Sequence, residues 1–354
     1  MPFYRKIHGV ARILVLLTIG AIIFSAMLII VKQGQKTALL YLTQPGTGQE
    51  AIMKSSLSDS PEIFLANFGF LVEMQPSPDG KWLAAITSDD DGNMLVQVFA
   101  IRSAELAYVY DCGVMHCSAL EWKADAAQIY FRIHGNSENS RIMAMSLADG
   151  QVLPVLLNEK YNPLYFSISP DEHYQVVYDD NAKGFYVLED WQTELVLMKS
   201  EDASAVVWVG DPLRVLMVAT EHEEKIPVSH IAEITPDTLK IRYLKDSEIT
   251  NMDFNNLSLR PNSEDLVFGC RPVLRTTSRQ LCVSNLEEFV GEQLTDVQFR
   301  NHAGAVFDSS GTWLAYQTYD MESSTSVPMI WVMNWETGST IPVEENAAMP
   351  RWIP

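Results

Sequence analysis

A short turn motif that leads directly into a β-rich apolar run recurs six times along this chain. The copies begin at Ser77, Lys123, Ser169, Val209, Arg260 and Asp308, which places them roughly 40–50 residues apart. The clearest copy reads SPDGKWLAAIT from Ser77 onward. A period of this length is typical of the blades of a β-propeller rather than of a helical solenoid. The repeat therefore predicts an all-β fold.

The residue types in the turn explain why a strand follows it at once. Proline fixes φ, Asp bonds to the backbone just after it, and Gly accepts a positive φ. Each turn is expected to join the inner strand of a blade, which lines the central channel, to the second strand. The best-defined turn residues are Ser77, Pro78, Asp79 and Gly80 in the first copy, Ser169, Pro170 and Asp171 in the third, and Gly311 in the last.

The first repeat also shows the other strands of a blade. Alternating apolar residues predict strands over 81–87, 94–101 and 106–110. Between the first two lies Asp89-Asp90-Asp91-Gly92-Asn93, which is good chemistry for a hairpin turn. A calcium loop is the alternative interpretation, but the stretch lacks the spacing and the distal Glu of an EF-hand.

Six turns predict six blades, with seven as the alternative. The tail 347–354 resembles one more inner strand that stops where a turn would begin. It is expected either to pair into the first blade and close the ring, or to form part of a seventh blade together with 62–70.

The S-P-D-G turn followed by an aromatic-aliphatic strand resembles the WD40-like repeat of TolB-type β-propellers, which are periplasmic bacterial proteins. It is also similar to the propeller domain of prolyl-oligopeptidase-like enzymes. True WD40 repeats match less well, because no repeat ends in Trp-Asp. The resemblance implies a propeller over 62–354 with a binding role, and it transfers no catalytic residue.

The N-terminal part differs in composition from the rest. An uncharged apolar stretch spans 13–31, from Ile13 to Val31, and its length suits a single transmembrane helix. A cleaved signal peptide is the alternative, but its apolar region would be shorter. The predicted organisation is a cytoplasmic tail over 1–12, the anchor over 13–31, a Gly/Ser/Thr-rich linker over 32–61, and the propeller.

The charge distribution limits the class of partner. The net charge is −20, and all 45 acidic residues lie from Glu50 onward, together with all but five of the 25 basic residues. Such a surface repels phosphate backbones, so no nucleic-acid partner is expected.

The predicted localisation is the inner membrane of a bacterium, with the propeller in the periplasm or outside the cell.

The four cysteines support an oxidising compartment. Cys112 with Cys117, and Cys270 with Cys282, form two local pairs that predict two disulfides. Zinc is the alternative for these thiols, with His116 beside the first pair, but the spacings are not those of C-x2-C ligands.

The sequence lacks the motifs of several common catalytic and cofactor-binding sites. It contains no G-x-S-x-G, P-loop, dinucleotide fingerprint or H-E-x-x-H, and no catalytic, cofactor or metal residue is predicted. The leading hypothesis is a membrane-anchored propeller that binds other cell-envelope proteins. The alternatives are a sensor of a small ligand or metal ion, and a hydrolase or lyase with its site in the channel.

Overall fold

The computed structural model describes residues 37–89, 91–135, 140–156, 160–202, 205–223, 226–244, 254–271, 278–323 and 326–354. Within these residues the strands form seven antiparallel four-stranded sheets. The all-β prediction is confirmed, and the prediction of six blades is wrong, since the propeller has seven.

Six of the blades are continuous meanders that run from the inner strand outward. Blade 2 contains β4 (Phe70–Pro76), β5 (Trp82–Ser88), β6 (Met94–Ala100) and β7 (Leu106–Asp111). Blade 3 contains β8 (His116–Trp122), β9 (Gln128–His134), β10 (Arg141–Ser146) and β11 (Val152–Pro154). Blade 4 contains β12 (Pro163–Ile168), β13 (Tyr174–Asp179), β14 (Gly184–Glu189) and β15 (Thr193–Lys199).

The second half of the chain repeats this order. Blade 5 contains β16 (Val206–Val209), β17 (Arg214–Glu223), β18 (Ile226–Thr235) and β19 (Lys240–Tyr243). Blade 6 contains β20 (Asn255–Leu259), β21 (Asp265–Cys270), β22 (Gln280–Asn285) and β23 (Val290–Gln293). Blade 7 contains β24 (Arg300–Phe307), β25 (Trp313–Asp320), β26 (Met329–Asn334) and β27 (Thr340–Glu345).

Blade 1 is assembled from both ends of the described chain. Its three outer strands are β1 (Ala38–Thr43), β2 (Ala51–Ser56) and β3 (Glu62–Ala66), and its inner strand is β28 (Ala347–Ile353). The inner strands contact one another in a closed sequence, because β28 touches both β24 of blade 7 and β4 of blade 2. The C-terminal strand therefore closes the ring, as the tail pattern suggested.

Blade 1 also corrects the expectation that 32–61 is a linker. The strands β1 and β2 lie inside this predicted linker, so its described part belongs to the propeller. Leu39 to Leu42 are almost fully buried in β1, which pairs with β2 on one side and with β28 on the other. They contribute to the apolar core of the propeller.

The sequence-predicted turns have the expected chemistry. Ser77 Oγ donates to Asp79 Oδ1 at 2.7 Å and accepts the Trp82 N–H at 2.9 Å, while Gly80 adopts a φ of 67°. The turn at Ser169 repeats these bonds through Asp171. The first residue of the second strand is thus bonded to the turn itself, so the strand begins without a spacer.

The ring has two ends, which are named the turn face and the loop face. The turn face carries the junctions between first and second strands, and the chain enters β1 and leaves β28 there. The loop face is the opposite end and carries the connections from one blade to the next. No helix in the described part of the chain has the length and apolarity to cross a membrane. The predicted anchor from Ile13 to Val31 and the tail 1–12 lie outside the described residues.

Candidate functional site

The central channel is a cavity of about 670 Å³. All seven inner strands contribute to its wall. Its polar lining is concentrated in a few side chains, and apolar residues fill the space between them. The polar members are Glu73, Gln75, Glu121, Tyr165, Ser167, Asn255, Asn256 and Arg351.

Glu73 joins blade 2 to blade 3. The register of β8 against β9 shifts between Ser118 and Glu121, and Ala119 in this bulge has a φ of 59°. The bulge turns two backbone N–H groups away from the ladder. Glu73 accepts both, from Ala119 and from Leu120, at 2.9 Å each. Both oxygens of this carboxylate are therefore engaged in holding two inner strands together.

Glu121 makes the next connection around the ring, to blade 4. Its Oε1 accepts the Ser167 hydroxyl at 3.0 Å and the Ile168 N–H at 2.9 Å. Its Oε2 has no hydrogen-bond partner among the described residues and is not sealed from solvent. Burial raises the pKa of Glu121 to about 8, and the negative charge of Glu73 acts in the same direction.

Arg351 is the cationic group among the described lining residues. Its guanidinium donates to the carbonyl of Pro350 at 3.0 Å. Burial lowers its pKa, while the charge of Glu73 opposes that shift. Burial also raises the pKa of Glu73, against the two N–H bonds and the charge of Arg351. The two groups therefore act as counter-charges across the channel.

The loop face carries both disulfides. Cys112–Cys117 closes the connection between β7 and β8, with a Cα separation of 6.3 Å. Cys270–Cys282 links β21 to β22 at the end of their hairpin, with a Cα separation of 5.9 Å. Both predicted pairings are confirmed, and the zinc alternative is wrong because each sulfur is bonded to another sulfur.

The loop face also displays an apolar patch, defined here as Val297, Phe299 and Met321. Their exposed fractions are 41%, 54% and 48%. Phe299 and Met321 are neighbours, since the Met321 N–H donates to the Phe299 carbonyl at 2.7 Å. Large side chains exposed together on a soluble domain commonly mark a surface that binds another molecule.

The backbone beneath the patch is held rigidly by one buried side chain. Gln280 accepts the Val297 N–H at 3.1 Å, and its amide donates to the carbonyls of Val297 and Arg300. Phe299 has a φ of 60°, a conformation that bulky residues rarely adopt. Such strain persists only where the surrounding structure imposes it, and it is commonest at functional sites.

Acidic side chains surround the patch. Asp296 precedes Val297, and Asp320 and Glu322 flank Met321; all three are exposed. Among the described residues, two bases also lie close to the patch: Arg300 at the first position of β24, and Arg279, whose carbonyl accepts the His302 N–H at 2.8 Å. An apolar centre with a charged rim is the usual arrangement of a protein-binding surface.

The other candidate residues serve the architecture. Both oxygens of Asp89 accept N–H groups within its own hairpin, from Asp91 and Asn93. This supports the hairpin interpretation of the acidic run, in which Asp90 lies outside the described residues. The repeat-turn residues Ser77 to Gly80, Ser169 to Asp171 and Gly311 lie on the turn face, away from the apolar patch.

The sequence interpretation missed the residues that define the channel and the patch. Glu73, Glu121 and Arg351 reach the channel from three inner strands, and Phe299 and Gln280 meet at the loop face. The sequence did contain a signal for the channel, namely acidic residues inside apolar strands. Burying such a residue costs free energy unless it is hydrogen-bonded, so its presence in a strand indicates a polar contact.

Comparisons with known proteins support the fold. TolB from Acinetobacter baumannii superposes with a TM-score of 0.55 at 12% identity, covering 90% of this chain and 67% of that one. A prolyl endopeptidase superposes with a TM-score of 0.62 at 13% identity, covering 88% and 50%. An uncharacterised protein from Listeria monocytogenes EGD-e gives 0.62 at 10% identity, covering 87% and 91%.

These likenesses concern architecture. The chain spans half the length of the prolyl endopeptidase that it resembles. No family model matches the sequence, and no curated protein matches it. Because a peptidase is among the similar structures, the fold alone does not distinguish a binding protein from an enzyme. That distinction depends on the residues of the site.

Proposed function

We propose that this chain is a non-catalytic, protein-binding β-propeller of the bacterial cell envelope, which docks its partner on the loop face. The observation that carries the proposal is the apolar patch around Phe299. It is exposed, it is held by a buried clamp, and it keeps a strained backbone. Preorganised apolar groups bind partners with little loss of conformational entropy.

The charge of the chain indicates the chemistry of the partner. The patch is rimmed by Asp296, Asp320 and Glu322, and the chain as a whole carries −20. The proposed partner therefore presents an apolar projection surrounded by Lys or Arg. Complementary charge raises the association rate and excludes wrong partners, and its effect weakens as salt is added.

The hydrogen bonds of two polar groups in the channel wall support binding over catalysis. Glu73 and Ser167 make hydrogen bonds between blades, and the Trp208 indole donates to Ser167, so these groups hold the ring in shape. A catalytic acid or nucleophile would instead be directed at the position of a substrate.

The proposed location is the inner membrane, with 13–31 as a single anchor and the propeller outside the cytoplasm. The two disulfides support this proposal, because such bonds form and persist in oxidising compartments. The length and apolarity of 13–31 support the anchor.

The test is crosslinking of the full-length chain in native membranes, followed by purification and identification of bound proteins. The comparison uses wild type, the double variant Phe299→Gly/Met321→Ser, and an anchor-only chain. Val109→Ser is the matched control, because Val109 is 55% exposed on the outer strand β7, away from the patch.

The expected result is an envelope protein that wild type and Val109→Ser capture and the double variant loses. The purified pair should then bind directly, and more weakly as salt is added. Equal capture by wild type and the double variant would overturn the docking surface. Absence of any protein above the anchor-only background would overturn the proposed function.

A further inference from the structure

We propose that the central channel binds a small organic cation, with Glu121 as its anionic anchor. The cavity of about 670 Å³ has the size of a small-molecule site, which typically measures 300–1,000 Å³. It is separate from the apolar patch on the loop face. The inference goes beyond partner docking and does not depend on it.

The first observation is the unused oxygen of Glu121. Ser167 and Ile168 both bond to Oε1, which fixes the side chain between blades 3 and 4. Oε2 has no partner among the described residues. A carboxylate held in place on one oxygen and free on the other is prepared to accept a hydrogen bond from a ligand.

The second observation is the balance of charge around it. The groups that line the channel beside Glu121 and titrate or carry charge are Glu73, Tyr165 and Arg351. Glu73 already accepts two N–H groups and faces Arg351 as its counter-charge. Burial raises the pKa of Tyr165, so its hydroxyl stays neutral. Glu121 is thus the carboxyl group in this set that lacks a cationic counterpart.

Without a bound cation, Glu121 is mainly protonated at neutral pH, since its pKa is raised to about 8. A bound cation stabilises the ionised form instead. Binding then breaks the O–H bond of the carboxyl group, and the proton leaves to solvent while the ligand keeps its own positive charge. The affinity should rise with pH through about 8, where Glu121 becomes ionised without the ligand.

The lining favours an organic cation over a metal ion. Calcium requires six to eight oxygen ligands, but the oxygens of Glu73 are engaged and Arg351 brings a positive charge to the same wall. Leu120, Phe166 and Leu257 offer apolar contacts to a carbon skeleton. An ammonium group supplies the N–H donors that a carboxylate oxygen accepts.

The probe is pentane-1,5-diamine, and pentane-1,5-diol is its neutral counterpart of equal length. Binding of each to the full-length chain is measured by titration calorimetry at about pH 6.5 and about pH 8.5, where the amines remain charged. We expect the diamine to bind about 20-fold more tightly at the higher pH, in proportion to ionised Glu121. The diol should not bind.

Two variants complete the test. Glu121→Gln keeps an oxygen that accepts from Ser167 and Ile168, so the propeller should remain folded while affinity falls more than tenfold and the pH dependence disappears. Glu336→Gln, in an exposed turn, is the matched control and should bind as wild type does. Equal binding of diol and diamine, unchanged binding by folded Glu121→Gln, or no binding of the diamine at either pH would overturn the proposal.

Discussion

The indole N–H of Trp208 donates to Ser167 Oγ at 3.1 Å, and this bond joins the inner strands of blades 5 and 4. The same hydroxyl donates to Glu121 of blade 3. One serine therefore connects three blades, so its replacement should destabilise the contacts among all three.

Ser167→Ala should lower the free energy of unfolding by about 2 kcal/mol, because a partly buried indole N–H and a carboxyl oxygen both lose a partner. Urea denaturation measures the change. Ser103→Ala is the control, since that hydroxyl bonds to Glu105 on the exposed surface. Equal losses in the two variants would contradict the role given to Ser167.

Trp352 makes an equivalent bond at the closure of the ring. It is 6% exposed, and its indole N–H donates to the Val306 carbonyl of blade 7 at 3.0 Å. The indole N–H of Trp331 is buried and has no hydrogen-bond partner within the described part of the chain. Trp352→Phe should therefore destabilise the protein by about 1–2 kcal/mol more than Trp331→Phe.

Deleting 349–354 tests the same closure more severely, because it removes most of the inner strand of blade 1. Thermal unfolding should shift to clearly lower temperature. If the truncated chain keeps the melting temperature of wild type, the C-terminal strand does not hold the ring.

The two disulfides should stabilise the propeller unequally. Cys270–Cys282 closes a longer segment than Cys112–Cys117, with sequence separations of 12 and 5. Replacing both cysteines of a pair by Ala should lower the free energy of unfolding by about 3 and about 2 kcal/mol, respectively. Denaturant titration of the two variants measures this order, and the reverse order would contradict the loop-entropy explanation.

The turns were predictable because their chemistry is local. Ser77, Asp79 and Gly80 bond almost entirely within the motif, so a short stretch of sequence contains the information. Counting these turns nevertheless gave one blade too few. Blade 1 takes its inner strand from the C-terminus and therefore has no turn between first and second strands. Six turns consequently correspond to seven blades.

Which residues meet in the channel was not predictable, for a geometric reason. Strand alternation indicates which residues share a face, but the bulge at Ala119 changes the alternation inside β8. Glu73 reaches that bulge from a different blade, 46 residues earlier in the chain. Arg351 joins them only because the last strand closes the ring.

Glu121 should make stability depend on pH. Its pKa is raised in the folded state, from an ordinary value of 4.5 to about 8. Folding thus favours the protonated form. The stabilisation that Glu121 contributes is fully present below about pH 4.5 and is lost as pH rises through about 8. As pH rises, ionisation of Glu121 should lower the free energy of unfolding of wild type by roughly 2–4 kcal/mol, a figure reduced to allow for water in the channel. Glu121→Gln should not show this decrease.

The measurement is denaturant unfolding of wild type and Glu121→Gln between about pH 5 and about pH 8.5, because their difference isolates this group from the other carboxylates. Relative to wild type, the variant should become more stable as pH rises. A difference that stays constant over this range would show that Glu121 titrates normally.

Phe299 offers a test that separates fold from binding. Its φ of 60° costs a non-glycine residue about 1–2 kcal/mol, and glycine removes that cost. Phe299→Gly should therefore unfold within about 1 kcal/mol of wild type, whereas Phe299→Ala, which keeps the strain and loses the ring, should be about 1 kcal/mol less stable than the glycine variant. Both should capture the partner at least tenfold less well in the crosslinking assay. If Phe299→Ala is as stable as Phe299→Gly, the backbone is not strained; if either variant captures the partner as wild type does, the ring does not contribute to docking.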